Sequence, residues 1–189
     1  MKAKQDTIED ILNTEHELVV HGKDRYGEFF AHSADANVLM GSFVESIDVD
    51  RFIFGLFLSQ VKKHLLLAQF SAMRLHHTQA GWNMRQALES GSWAAYAIAN
   101  TENDKFFEED EDMLMTIPRR LKDSKNKWLN ANFYEGSNAI RKQVGNIGDT
   151  TAHANIIYAF NNFKFSDANF DMPFFDFEND FRVKTDLFQ

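Results

Sequence analysis

Apolar residues recur along most of this chain at steps of three and four, the spacing that builds one side of a helix. From about Thr7 to about His32, Ile8, Ile11, Leu12, Leu18, Val19, Tyr26, Phe29 and Phe30 fall on one side of a helical wheel. Asp6 or Thr7 can cap that helix, and Glu9 and Asp10 occupy its first turn. Gly22 lies on the same stripe, as a close contact or as a break. A looser stretch, Ser33 to Ser46, leads to a second predicted helix from Asp48 to His76. Its apolar residues, from Phe52 through Leu58 and Leu65 to Leu75, surround it almost completely, the mark of a buried helix. The pair His76 and His77 then turns the chain into a third helix, Thr78 to Asn100, and so short a connection predicts an antiparallel hairpin.

The third helix has two faces. Met84, Ala87, Leu88, Gly91, Ala94, Ala95 and Ile98 form a narrow stripe of mostly small residues that lets a neighbouring helix come close. Trp82, Arg85, Gln86, Glu89, Trp93 and Tyr96 form the other, with Arg85 and Glu89 at the i, i+4 spacing of a pair that can touch.

Beyond it the chain turns acidic between Thr101 and Asp112, then basic at Arg119, Arg120, Lys122, Lys125 and Lys127. Such an asymmetry reads as a partner-steering patch or, more simply, as solvated faces that complement one another. Pro118 suits the first position of a helix reaching about Asn130. Ser137 or Asn138 can cap another, which carries Ile140, Val144 and Ile147 and ends at Gly148. Asp149 caps a short helix, TTAHANIIYAF, that holds His153. After that the pattern changes to a Phe-rich stretch with the turn-like SDAN and the alternation Phe163-Lys164-Phe165, which predicts a β-hairpin.

The expected fold is mainly α: an antiparallel bundle of five or six helices with a short Phe-rich β or irregular segment near the C-terminus. One helical domain, 1–189, divides into an N-terminal helix and connection over 1–46, a bundle core over 48–160 and a Phe-rich segment over 161–189. The ending VKTDLFQ, apolar and without a tail, leaves room for a further helix beyond it.

Composition narrows the function classes. The chain has 189 residues, 44% of them apolar and 25% charged, an ordinary globular balance. A net charge of -8 disfavours nucleic-acid binding, which rests on clustered cations. There is no cysteine, so disulfides, thiolate nucleophiles and cysteine zinc sites are excluded. The start has no apolar run after its lysines, and Arg51 to Val61 is too short for a membrane span, so a cytoplasmic protein is expected.

Candidate chemistry is sparse. Glu17, His21, Asp24, Glu28 and His32 have the spacing of metal ligands on one helical face, but they point away from the apolar stripe, and no metal or other cofactor is expected. His76 and His77 are adjacent and diverge. VGNIGDT lacks the lysine of a phosphate loop, and no G-x-S-x-G occurs. What remains is Arg85 and Glu89 with His153. Glu89 could orient the His153 ring, leaving its other nitrogen as acid or base, while Arg85 stabilises an anion. The same three residues could equally tie a later helix to the central one. Trp82, Trp93 and Tyr96 are candidates to line a small-ligand pocket.

The stretch WNMRQALESGSWAAYAI, followed by the later Gly-Asp-Thr-Thr-Ala-His-Ala-Asn, resembles a broad group of uncharacterised bacterial helical-bundle proteins similar in outline to HEPN-type bundles. The resemblance covers about Arg51 to Phe160. Several HEPN bundles are ribonucleases or parts of defence and toxin–antitoxin systems. Those ribonucleases carry Arg, four to six residues and His on one helix, a spacing this chain lacks: Arg141 and His153 are too far apart, and Arg74 is too close to His76 and His77. Three functions follow as expectations. The first is a non-enzymatic bundle acting through a protein partner or as a homo-oligomer. The second is a HEPN-like ribonuclease or nucleotide-binding protein using Arg85, Glu89 and His153. The third is a small-ligand or metal-binding bundle.

Overall fold

The computed structural model describes residues 7–109, 115–151, 164–166, 169–171, 173–177 and 179–188. The protein is mainly helical. Its centre is a hairpin of α4, Phe52–Met73, and α5, His77–Ala99. The two run antiparallel, as successive contacts show. Phe57 stacks on Trp93 at 5.8 Å between ring centres, and Val61 lies against Gly91. Further along, the His64 Nδ1 meets the Asn83 Oδ1 at 2.9 Å. At the open end the Arg51 guanidinium donates to the Ile98 carbonyl oxygen, supplying a partner for one of the carbonyls a helix end leaves free.

The three-residue turn between them is closed by its backbone. Leu75 donates its N–H to Ala72 O at 3.1 Å and His76 to Ser71 O at 2.9 Å, the paired bonds of a Schellman cap. The residue in the left-handed position is usually glycine; here it is Leu75, at φ 59°. Left-handed backbone costs a side-chain-bearing residue about 1–2 kcal/mol. The Leu75 side chain is buried, and that burial offsets the strain.

The N-terminal part differs from expectation. The single helix predicted from Thr7 to His32 is three helices, α1 (Ile8–Val20), α2 (Gly22–Tyr26) and α3 (Glu28–Ser42). Thr7 caps α1 in a reciprocal capping box with Asp10. The break after α2 is set by Gly27, whose φ of 52° and ψ of -119° suit only glycine. Gly22 is a close contact as well as a break: a Cβ there would sit 2.6 Å from the Met73 Sδ. The stretch Ser33 to Ser46, read as loose, is helical as far as Ser42. Its small and polar residues hid the helix because it buries no residue fully; Phe29, Phe30 and Met40 pack partly buried against the core, and polar contacts add to their hold on α4. Asn37 donates to the Gln69 Oε1 at 2.8 Å, and the Lys62 ammonium to the Gly41 carbonyl oxygen at 3.3 Å. A 3-10 turn, Val49–Arg51, then leads into α4, so Asp48 precedes that turn rather than α4 itself.

After α5 come a 3-10 turn at Asn103–Phe106 and a short antiparallel pair, β1 (Glu108–Glu109) with β2 (Met115–Thr116). Pro118 is the cap of α6, Arg119–Asn132, rather than its first residue. Helix α7, Tyr134–Thr151, overturns the next prediction. Ser137, Asn138, Gly145, Gly148 and Asp149 all lie inside it, so Gly148 ends no helix and Asp149 begins none. Residues 152–163, His153 among them, lie outside the described residues. Strands β3 (Lys164–Ser166) and β4 (Asn169–Asp171) pair antiparallel. A last helix, α8 (Asp180–Phe188), follows, where none was predicted.

Two apolar clusters hold these elements together. One, at the open end of the hairpin, joins Ile53, Phe54 and Leu58 of α4 with Trp93 and Tyr96 of α5, Phe106 and Leu121. The other, at the turn end, joins Leu18, Tyr26, Met73 and Leu75 with Val183 and Leu187 of α8. Among the described residues no helix is long and apolar enough to cross a membrane.

Candidate functional site

Helix α5 positions the sequence candidates. Arg85 and Glu89, one turn apart, form an ion pair at 2.9 Å, and both side chains are partly exposed, at 31% and 42%. An exposed pair at this spacing adds only about 0.3–0.5 kcal/mol. The Arg85 guanidinium also crosses to α7. A Cβ on Gly148 would lie 3.0 Å from its terminal nitrogen, so the missing side chain is what lets the cation rest there. His153 lies outside the described residues, and the proposed trio is therefore seen only as its Arg85–Glu89 half.

The aromatic candidates divide. Trp93 and Tyr96 are buried and contact each other edge to face at 6.2 Å. Tyr96 continues to Trp128, and both Trp93 and Tyr96 reach Phe106, so these rings form core. Trp82 is 49% exposed and packs against His64 instead. Eleven residues separate it from Trp93, about 16 Å along a helix. The three do not share a pocket among the described residues.

A cleft of about 590 Å³ opens where α5, α6 and α7 meet, and its lining includes Glu89 and Trp93. From α6 come Lys122 and Lys125, and from α7 Arg141. The Lys125 ammonium stands 4.6 Å from the centre of the Trp93 ring, a cation–π contact. Burial pulls Lys125 below the ordinary lysine range; Glu89 acts against that shift and Lys122 adds to it. Arg141 donates to the Asn138 Oδ1 at 3.4 Å. The two serines of the lining are occupied, Ser92 donating to Leu88 O at 3.0 Å and Ser137 to the Asn130 Oδ1 at 2.8 Å. Such a set can hold an anion. Among its described residues it offers no histidine and no hydroxyl beside a base. The cleft was missed in the sequence, where Arg141 read only as too far from His153 for a nuclease motif and Lys122 and Lys125 as part of a solvated charge run. Their i, i+3 spacing on α6 was visible, but the approach of α7 was not.

His21, His64, His76 and His77 are engaged elsewhere. His76 pairs with Glu15 of α1 at 2.9 Å, and the buried His77 meets Asp186 of α8 at 2.6 Å. On the first helices His21 contacts Glu17 at 3.1 Å and Asp24 at 4.0 Å in the open. Among the described residues no group of three His, Asp or Glu side chains is placed to hold a metal ion.

A second surface feature lies where α3 gives way to α4. Val38, Leu39, Phe43, Val49, Phe52 and Leu56 are exposed there, from 44% at Phe52 to 89% at Val49. Ile47, itself exposed, packs on Gly55, and the partly buried Met40 and Val44 pack against the first cluster, so the corner is a formed surface. Comparison with protein-family models, curated proteins and solved structures found no match.

Proposed function

We propose that the protein is a non-enzymatic antiparallel helical bundle that works as a homodimer, joined through the apolar corner of α3 and α4. The observation that carries this reading is the group of exposed aliphatic and aromatic side chains between Val38 and Leu56. Scattered exposed apolar residues need no explanation, whereas a gathered patch marks an interface. One buried Leu or Phe contributes about 1.5–3 kcal/mol, too little to hold two chains together. Six from each copy reach or exceed the roughly 4–15 kcal/mol that association costs in lost freedom. An apolar patch is complementary to itself across a twofold axis, which makes a second copy its simplest occupant.

Light scattering on the purified chain tests this. The expected mass is twice the 21.9 kDa of one chain at micromolar concentration, and Leu39→Glu or Phe52→Glu should return it to one chain without loss of helical circular dichroism. A wild-type monomer across that range would sink the proposal. The alternative, a HEPN-like ribonuclease or nucleotide-binding protein, is supported by the Arg85–Glu89 pair beside a cation-lined cleft. Labelled RNA left intact by the wild-type chain would remove its nuclease form.

A further inference from the structure

The cleft between α5, α6 and α7 is built with a charge opposite to that of the molecule. Lys122, Lys125 and Arg141 line it in a chain whose net charge is -8. None of the three has a carboxylate within ion-pair distance among the described residues. The one carboxylate in the lining, Glu89, is already held by Arg85 at 2.9 Å. Surface lysines on an acidic protein ordinarily find such partners or point into water. Lys125 does neither: its stem is partly buried and its ammonium rests on the Trp93 ring. The same two helices also give the cleft apolar lining, Ile140 and Val144 from α7 and Leu129 from α6. The volume, about 590 Å³, falls within the range of small-ligand sites, about 300–1,000 Å³.

We propose that this cleft binds a phosphate monoester with an apolar organic part, its phosphate among Lys122, Lys125 and Arg141 and its body against Trp93, Ile140 and Val144. Three cations from two helices suit a dianion with three acceptor oxygens better than a carboxylate, which has one charge and two oxygens. The apolar wall gives a bare phosphate ion nothing to bury, so an ester should bind more tightly than the free ion. The incoming dianion would give Lys125 a partner at ion-pair distance, which Glu89 does not, and draw its ammonium off the Trp93 ring. Tryptophan emission therefore reports occupancy directly. The inference is independent of the dimer, since the corner of α3 and α4 contributes nothing to this cleft.

The test is a titration of the full chain with phenyl phosphate and, separately, with octyl phosphate below its micellar concentration. Tryptophan emission and calorimetry follow binding in a phosphate-free buffer, with inorganic phosphate and benzyl alcohol as comparison probes. Saturable binding of either ester, tighter than inorganic phosphate and absent with benzyl alcohol, is the expected result. The tighter of the two esters distinguishes a soluble aromatic source from a lipid-like one. The double variant Lys122→Gln with Arg141→Gln should weaken binding by about tenfold or more, as expected for lost charge-assisted contacts. Both residues are exposed, so the thermal midpoint should stay in place. Glu89→Gln should act in the opposite direction and tighten binding, because it removes the one negative charge of the lining. That pair of opposite signs cannot come from general damage to the fold. No saturable binding at millimolar ester, equal binding by the double variant, or equal binding of benzyl alcohol would overturn the proposal.

Discussion

Tyr26 carries a phenol into the cluster at the hairpin turn with 2% of its surface exposed, and its hydroxyl meets no hydrogen-bond partner among the described residues. An unpaired buried hydroxyl costs about 1–3 kcal/mol. Tyr26→Phe keeps the ring and removes the oxygen, so it should raise stability by about 1 kcal/mol in a urea titration. Burial also pushes the ionisation of Tyr26 above its ordinary value; Arg25 opposes the shift and Asp180 adds to it. A raised phenol is held neutral by folding. Its contribution is intact below the pH at which a free tyrosine ionises, about 10, and is lost as pH rises through the folded value. Alkaline unfolding should therefore begin at higher pH in the Phe variant. At this scale the sequence was informative where chemistry is local. The Arg85–Glu89 pair was legible from its spacing alone. Lys125 on Trp93 was not, since it depends on how α6 lies over α5.

Among the elements, the α4–α5 hairpin was the most legible. A connection of a few residues must reverse the chain, as it does; the second helix, read as buried all round, instead leaves Phe52, Leu56 and Leu66 exposed, because no other described element covers that side. The three N-terminal helices were less so, because their breaks follow from Gly27's backbone and from Met73 pressing on Gly22, not from any loss of periodicity. Helix α8 was missed altogether. Only Val183 and Leu187, one turn apart, are buried in it, and the Phe-rich stretch before it obscured that short signal. Its hold on the rest is specific: Asp186 meets His77, and just before the helix the Asp176 carboxylate accepts the His77 backbone N–H at 2.7 Å. Val183 is fully buried, and Val183→Ala should cost roughly 1–3 kcal/mol through lost contacts and the cavity left behind. Thermal unfolding of the variant measures that cost. An unchanged midpoint would mean that α8 contributes little to holding the turn end.

For the whole molecule, the spacing of apolar positions was enough for a mainly helical protein, but not for where its exposed apolar side chains gather. Periodicity says which residues share a face and leaves open whether another element covers it. The two proposed surfaces should respond to salt in opposite ways. A dimer joined by Leu39, Phe43 and Phe52 should persist or tighten as sodium chloride rises, since burial of apolar area is not screened. Ester binding at Lys122 and Arg141 should weaken over the same range. Light scattering and tryptophan titration at two salt concentrations check both responses.

The contact between His77 and Asp186 spans 109 positions of chain, while the hairpin beside it closes through three. Bringing distant segments together costs more chain entropy than closing a short turn, and local contacts form first. During synthesis, α4 and α5 leave the ribosome and can pair while α8 has not yet been made. Tyr26, Met73 and Leu75 then wait uncovered for Val183 and Leu187 to arrive. That interval is when the nascent chain is most open to aggregation and to capture by chaperones.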